Sequence, residues 1–288
     1  TLQYLKFINA PSAFNHNKGI DINSVSKPLT VEFKNVSFKY HDSKDNTIEN
    51  VSFKINAGEK IALVGANGAG KTTIIKLLSG FYKPTSGEIL ISGHPISDFN
   101  IDEYYRLLSI INQDVEVIGV RIKDIVSSQY LDKNIDEEKV VKCLKEVDLF
   151  DKVDSLPEKD RTYLTQNLDK SGIQLSGGES QKLMLARALY KDGSFLMLDE
   201  PTSALDPIAE GKLYEQYASL CYNKTSLFIS HRLSSTKFCN NIIYLKDGKI
   251  VEEGTHEELM KKKGEYYHVF SIQSHYYKNQ GELNESLL

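Results

Sequence analysis

A glycine-rich segment after the apolar run IALV has the residue types needed to bind a polyphosphate. It consists of Gly65, Ala66, Asn67, Gly68, Ala69, Gly70, Lys71, Thr72 and Thr73. Glycines permit positive φ angles, so backbone N–H groups can turn inward around phosphate oxygens. A helix beginning near Lys71 adds the positive end of its dipole. The pattern G-x-x-x-x-G-K-[ST] predicts that Lys71 reaches the β- and γ-phosphates and that Thr72 binds Mg²⁺. The alternative is a strand-to-helix turn without a ligand.

A second candidate segment, SFLMLDE, ends in two carboxylates. Its apolar residues predict a buried strand that brings Asp199 to the sheet edge, where it can hold Mg²⁺ through water. Glu200 follows directly and is the candidate general base that deprotonates the attacking water. The structural alternative is that both carboxylates cap the next helix. Together with the glycine-rich loop, these residues predict a P-loop NTPase.

The elements around these segments predict an α/β fold. The runs LTVEFKNVSFKY and VSFKINAGEKIALV alternate as strands do, and GEILISG and LLSIINQ are further candidate strands. The continuous apolar runs SFLMLDE and TSLFIS are typical of a sheet covered on both faces. TTIIKLLSG has helical spacing and ends at Gly80, and IIYLKDGKIVEEG predicts a hairpin around Asp247 and Gly248. HEELMKKKGEYYHVF is predicted to be helical, and the polar GELNES tail to be disordered.

The family is indicated by Leu175-Ser176-Gly177-Gly178-Glu179, which precedes the helical run SQKLMLARAL. This segment resembles the LSGGQ signature of ABC ATPases. The resemblance implies that two chains pair head to tail, so that Ser176, Gly177, Gly178 and Glu179 contact the ATP held by the other subunit. It also implies a P-loop NTPase core with a mostly parallel sheet, an antiparallel β subdomain and a helical subdomain insertion.

Other residues fall in the order that this family shows. The resemblance makes Tyr40 the aromatic that stacks on adenine, and Gln113 a Mg²⁺ ligand that senses the γ-phosphate. The resemblance also implies that Asp206, in Ser203-Ala204-Leu205-Asp206, lies in the loop that reaches across the dimer, and that His231 contacts the γ-phosphate. Taken alone, a tyrosine at a strand end is more often a packing residue, and a histidine after a strand is normally a satisfied surface or core residue.

The sequence departs from the family pattern in two places. Glu179 stands where the signature usually has glutamine, and we expect it to tune affinity or dimer contacts without abolishing them. Asp169 and Lys170 stand where exporters commonly carry a Gly-Glu pair. The resemblance implies that the second departure lies in the segment through which such a domain contacts the membrane domain.

Composition and chain organisation narrow the class further. The net charge of −4 argues against a nucleic-acid partner, since such proteins usually show a basic face. No apolar run approaches the roughly 18 residues of a membrane-spanning helix. We interpret residues 1–28 as a linker from a transmembrane domain, 29–272 as the ABC ATPase domain with its helical subdomain at about 114–182, and 273–288 as a C-terminal tail. The chain would then be a fragment of a longer protein.

The resemblance, which covers roughly Leu29 to Ile272, implies the ATPase domain of an exporter-type half-transporter. Such a domain binds ATP and Mg²⁺, pairs with an identical or different nucleotide-binding domain, and works at the cytoplasmic face of a membrane, here expected to be a bacterial cell membrane. The variants Glu179 and Ala209-Glu210 are similar to those of exporters linked to peptides. The alternatives are an importer ATPase subunit and a non-transport ABC ATPase. The cargo depends on a membrane domain that this sequence lacks.

Overall fold

The computed structural model describes residues 15–16, 18–111, 119–129, 134–166, 170–199, 217, 220–221, 223–230 and 233–285. Within them the chain forms two sheets and a helical region. The first sheet is antiparallel and contains β1 (Val31–Phe38), β2 (Ile48–Ile55), β4 (Ser86–Ile91) and β5 (His94–Pro95), in the order β2-β1-β4-β5. It is the predicted antiparallel β subdomain.

Strand β1 shows how the sequence produces this sheet. Val31 and Phe33 are buried by simple alternation, but the next buried residue is Val36, three positions later. Asn35 has a φ of 49° at the shift of register in this strand, which is a β-bulge. The extra residue returns Val36 and Phe38 to the buried face.

The second sheet is mostly parallel and carries the candidate site. Its strands are β3 (Lys60–Val64), β6 (Leu108–Ile111), β7 (Phe195–Asp199), β8 (Thr225–Ile229), β9 (Asn241–Lys246) and β10 (Lys249–Gly254), in the order β10-β9-β3-β8-β7-β6. Every residue of β7 and β8 is buried, as expected of strands covered on both faces. Only β10 runs antiparallel, through the predicted hairpin at Asp247 and Gly248, which both have positive φ angles.

Two helices lie next to the core strands. They are α1 (Lys71–Leu78) and α2 (Ile101–Leu107). Helix α1 ends as predicted at Gly80, which has a φ of +70°. The N–H groups of Gly80 and Phe81 donate to the carbonyl oxygens of Leu77 and Lys76, which is a Schellman motif.

The helical region contains α3 (Ile122–Ser127), α4 (Glu137–Glu146), α5 (Phe150–Asp154) and α6 (Gly177–Lys191). These helices share a core of buried residues that includes Ile122, Val140, Leu144 and Leu183. Helix α6 also reaches the parallel sheet, because the Ser109 hydroxyl donates to the Ala188 carbonyl oxygen. It therefore connects the two parts of the domain.

The C-terminal part differs from the sequence prediction in two respects. The run predicted as one helix forms α7 (His256–Lys262) and α8 (Glu265–Glu285), because Lys263 adopts a left-handed φ of 54°. Helix α8 continues to Glu285, so the prediction of disorder for GELNES was wrong over residues 281–285. Extending an existing helix costs far less free energy than nucleating a new one, so a polar segment that directly follows a helix can continue it. The prediction considered only the polarity of the segment.

The described segment before β1 packs on the core. Val25 is buried, and Ile20 packs against the same cluster. The Ile20 N–H donates to the Asp98 carbonyl oxygen, and the Ile101 N–H donates to that of Asn15. Within the described residues, no helix is both long enough and apolar enough to cross a membrane.

Candidate nucleotide-binding site

The glycine-rich loop joins β3 to α1, as the sequence predicts. Strand β3 ends at Val64, in the middle of the parallel sheet, and α1 begins at Lys71. The three loop glycines have positive φ angles of 152° at Gly65, 80° at Gly68 and 107° at Gly70. The backbone therefore follows a path that other residues rarely adopt, and the first-turn N–H groups of α1, which lack acceptors within the helix, lie at its end.

The glycines serve different purposes. A Cβ atom added at Gly65 would lie 2.1 Å from the Leu245 carbonyl oxygen, and one added at Gly70 would lie 2.5 Å from Ile48 Cδ1. At Gly68 an added Cβ would meet nothing within 4 Å. The loop is thus packed against protein at its two ends and open in the middle, as a cradle for an external phosphate requires.

Lys71 lies within this loop and is only 6% exposed. Its Nζ donates to the carbonyl oxygens of Gly65 and Ala66, at 2.9 and 3.0 Å. These bonds hold the ammonium group over the loop that precedes it. The position agrees with the predicted role, since a buried cation there would attract the β- and γ-phosphates.

Thr72 and Asp199 line one cleft of about 560 Å³, which supports the predicted metal site. Thr72 is exposed on the first turn of α1, whereas Asp199 is buried at the carboxyl end of β7. Parallel strands β3 and β7 flank β8, so their carboxyl ends open on the same edge of the sheet. A hydroxyl and a carboxylate are hard oxygen donors of the type that Mg²⁺ prefers. The residues present therefore fit this ion.

Basic residues also line the same cleft, which the sequence analysis missed. Lys76, Arg187 and Lys191 line it. Burial lowers the pKa of Arg187, and burial together with Arg187 lowers the pKa of Lys191. The spacing of four residues on a predicted helix places Arg187 and Lys191 on one face and could have indicated this patch.

Tyr40 lies beside the first turn of α1. Its hydroxyl is 3.2 Å from Thr73 Oγ1, and its ring makes edge contacts with Phe38 and Tyr82 at centroid distances of 4.8 and 5.4 Å. Lys76 Nζ lies 5.8 Å from the ring centroid. An aromatic ring therefore stands next to the phosphate-binding loop, a position that the predicted stacking role of Tyr40 requires.

The signature segment forms the start of α6. Ser176 is the N-cap, and its Oγ accepts a hydrogen bond from the Glu179 N–H, while the Glu179 carboxylate accepts one from the Ser176 N–H. The cleft that contains Thr72 is lined by the other end of this helix, at Arg187. Arg187 lies ten positions after Gly177 in this helix, which is about 15 Å along the helix axis. The signature is therefore at the opposite end of α6 from this cleft.

Four predicted site residues lie outside the described residues: Gln113, Glu200, Asp206 and His231. The same is true of Asp169 and of Ala209-Glu210. Their predicted roles stay predictions. In the chain, Glu200 directly follows Asp199, and His231 follows Ser230, the buried residue after β8.

Comparison with known proteins gives consistent matches. Residues 48–203, just over half of the chain, match the family model described as ABC transporter. The chain is 39% identical to the ATP-dependent lipid A-core flippase of Burkholderia orbicola (strain AU 1054), over 84% of this chain and 40% of that protein. It is 35% identical to the putative multidrug export ATP-binding/permease protein YgaD of Bacillus subtilis (strain 168), over 85% of this chain and 41% of that protein.

A solved structure matches as well. It is described as a bacterial Atm1-family ABC exporter with ATP bound, with a TM-score of 0.84 and 30% identity, covering 94% of this chain and 46% of that one. The chain spans about two-fifths of the length of the curated relatives. A family model that covers the phosphate-binding loop, the signature and Asp199 establishes that this chain belongs to the ABC transporter family, as an ATPase domain of that family.

Proposed function

We propose that this chain is the ATP-binding and ATP-hydrolysing domain of an ABC exporter, and that it dimerises head to tail around two ATP molecules to power transport across a membrane. The observation that supports this most directly is the convergence of Lys71, Thr72 and Asp199 at the carboxyl edge of the parallel sheet. A buried cation, a hydroxyl and a carboxylate around an open glycine loop are what Mg-ATP requires.

In this proposal, residues 65–73 bind the phosphates through backbone N–H groups, and Lys71 contacts the β- and γ-phosphates. Tyr40 stacks on the adenine ring. Thr72, Gln113 and Asp199 hold Mg²⁺, which neutralises charge on the β- and γ-phosphate oxygens when it is bound. The position of Thr72 and Asp199 on one cleft supports this ligand set.

Hydrolysis is assigned to residues that follow the ends of β7 and β8. A carboxylate oxygen of Glu200 takes a proton from water, whose oxygen then forms a bond to the γ-phosphorus as the bond to the β,γ-bridging oxygen breaks. The products are ADP and inorganic phosphate. His231 contacts the γ-phosphate and orients it. Their chain positions after Asp199 and Ser230, at this edge of the sheet, support these roles.

The signature segment serves the nucleotide of a second domain. Ser176, Gly177 and Gly178, with Glu179, form a helix start that can bind an anion. This start lies at the opposite end of α6 from the cleft of the same chain, which supports a role in trans. Asp206 is assigned to the loop that reaches across this dimer.

The membrane partner is a transmembrane domain of the same or an associated chain. The names of the relatives described above, a flippase and an export permease, favour an exporter over an importer subunit or a non-transport ATPase. The domain would then lie at the cytoplasmic face of a membrane. A peptide cargo stays a prediction.

The test of this function is direct. The purified chain should bind Mg-ATP in a calorimetric titration and release phosphate slowly, because composite sites must form without a membrane domain that holds the two partners close. No detectable binding at millimolar Mg-ATP, or binding without any phosphate release at high protein concentration, would contradict the proposal. An ATP titration without Mg²⁺ serves as the control for the metal.

A further inference from the structure

The phosphate-binding loop packs on the turn between β9 and β10. An added Cβ at Gly65 would lie 2.1 Å from the Leu245 carbonyl oxygen, and one at Gly70 would lie 3.5 Å from Leu245 Cδ2. The N–H group of Gly248 donates a hydrogen bond of 3.2 Å to the Ala69 carbonyl oxygen. Both ends of the loop therefore contact one short segment, residues 245–248, which is distant in sequence.

The antiparallel sheet fixes the position of this turn. The Gly248 carbonyl oxygen accepts a hydrogen bond of 2.9 Å from the Glu49 N–H. Gly248 has a φ of +74°, and a Cβ atom added there would lie 2.5 Å from the Thr47 carbonyl oxygen. A side chain at this position would strain the backbone and also push the turn away from Thr47 and from the loop.

The hairpin that carries this turn also contacts α8. The Glu252 carboxylate on β10 accepts hydrogen bonds from the N–H groups of Glu265 and Tyr266, at 2.9 and 3.0 Å. Lys246 Nζ, next to the turn, lies 2.6 Å from the Glu265 carboxylate. The turn is therefore the tip of a hairpin that β2 and α8 both hold in place, and it can act as a rigid support.

The hydrogen bond at Ala69 has a consequence for the binding site. The Ala69 carbonyl and the Gly70 N–H belong to one planar trans peptide unit, so they point in opposite directions. When Gly248 holds the carbonyl toward the turn, the Gly70 N–H points away from the turn. Fixing one group thus fixes the orientation of the other.

We propose that Gly248 is a positioning residue for the phosphate-binding loop: its N–H group holds the Ala69 carbonyl, and this orients the Gly70 N–H toward bound phosphate. The inference rests on the proposed ATP-binding function, and it adds a residue outside the loop to the set that determines ATP affinity. Gly248 acts through Ala69 and makes no contact with the nucleotide itself.

A matched pair of variants tests it. Gly93 lies in the β4–β5 turn with a φ of +86°, but a Cβ added there would meet nothing within 4 Å. Gly248→Ala and Gly93→Ala therefore impose a similar backbone strain, and only the first displaces a contact with the loop. In calorimetric titrations, Gly248→Ala should weaken Mg-ATP binding by about tenfold, as expected for a lost hydrogen bond to a charged group, and Gly93→Ala by less than about twofold.

A measurement on the unaltered protein covers the case in which Gly248→Ala fails to fold. Amide exchange at Gly248, followed by NMR, should slow when Mg-ATP is added, because bound phosphate stabilises the Ala69–Gly70 peptide that accepts its hydrogen bond. Exchange at Gly93 should not change, nor should that at Gly248 in the Lys71→Ala variant.

The outcomes separate the two proposals. If the unaltered chain binds Mg-ATP, and folded Gly248→Ala binds it equally well or Gly93→Ala is weakened as much, the inference fails and the proposed function stands. An amide exchange rate at Gly248 that does not change when Mg-ATP binds also overturns the inference. If the unaltered chain does not bind Mg-ATP, the proposed function itself fails.

Discussion

Ser176 and Glu179 exchange two hydrogen bonds at the start of α6. The Ser176 N–H donates to Glu179 Oε2 at 2.8 Å, and the Glu179 N–H donates to Ser176 Oγ at 3.3 Å. Lys152 Nζ lies 3.9 Å from the same carboxylate. The bond from the Ser176 backbone is the largest cause that lowers the pKa of Glu179. The residue that departs from the family signature is thus an ionised helix cap, a role that glutamine would also fill without the charge.

Replacing Glu179 should separate its capping role from its charge. Glu179→Ala should lower the free energy of unfolding by about 1 kcal/mol, whereas Glu179→Gln should cost a few tenths, since glutamine can still accept from Ser176. Because the folded-state pKa lies below the ordinary value of 4.5, the charge-dependent stabilisation is present above that pH and is lost as the pH falls through the lower folded value. Urea unfolding of both variants at neutral and acidic pH measures this. An Ala–Gln difference of zero at neutral pH would contradict the capping role.

Lys71→Ala should remove most ATP binding. The substitution deletes the buried ammonium group that Gly65 and Ala66 hold over the loop, and we expect an affinity loss of about 100-fold. Lys54→Ala, an exposed lysine on β2, is the matched control and should bind as the unaltered protein does. Calorimetry with Mg-ATP measures both, and circular dichroism verifies that both are folded. Equal affinities would show that Lys71 does not contact the phosphates.

Glu200→Gln should bind ATP and fail to hydrolyse it. The amide keeps the shape and hydrogen-bonding capacity of the carboxylate but cannot accept the proton from water. ATP would then persist between two domains, so this variant should elute as a dimer in size-exclusion chromatography with Mg-ATP and as a monomer without it. Hydrolysis at the unaltered rate, or a monomer at every protein concentration, would argue against Glu200 as the base.

Substitutions of Tyr40 should distinguish stacking from packing. Tyr40→Phe keeps the ring and loses only the contact of its hydroxyl with Thr73, so ATP affinity should change little. Tyr40→Ala should weaken ATP binding by about 1–3 kcal/mol, the range for a base stacked on an aromatic ring. Inorganic tripolyphosphate has no base, so its affinity should not change in either variant. A parallel loss for tripolyphosphate would show that Tyr40 acts by supporting α1.

Ser176→Arg should leave ATP binding by the monomer within about 1 kcal/mol, as an exposed substitution does. ATP hydrolysis and ATP-driven dimerisation should both be lost, because a bulky cation would occupy the site for the partner's nucleotide. Mixing this variant with Lys71→Ala provides the control. Each site combines the phosphate-binding loop of one chain with the signature of the other. In a dimer of one chain of each variant, both substitutions therefore fall at one site and the other site is intact, so ATPase activity should partly return. Loss of ATP binding by the Ser176→Arg monomer would mean that the signature belongs to its own pocket.

Local patterns were sufficient for much of the site. The apolar run that ends at Val64, the glycines and the helical spacing after Lys71 predicted strand, loop and helix, and the structure confirms all three. The same holds for the buried strand that ends at Asp199 and for the helix at the signature segment. These features depend on residues a few positions apart, whose backbone preferences act directly on one another. The split between α7 and α8 was missed, since nothing in the run of lysines indicated the left-handed turn at Lys263.

The sequence by itself determined which chemical groups this protein carries and the local backbone that presents them: the phosphate-binding loop, the carboxylate at the end of a buried strand and the capped signature helix. Only the tertiary structure decided which of these meet. Thr72 shares a cleft with Asp199, and Ala69 meets Gly248, because β3 lies between β8 and β9 in the sheet. Strand order is selected by burying both faces of the whole sheet at once, a property that no short segment contains.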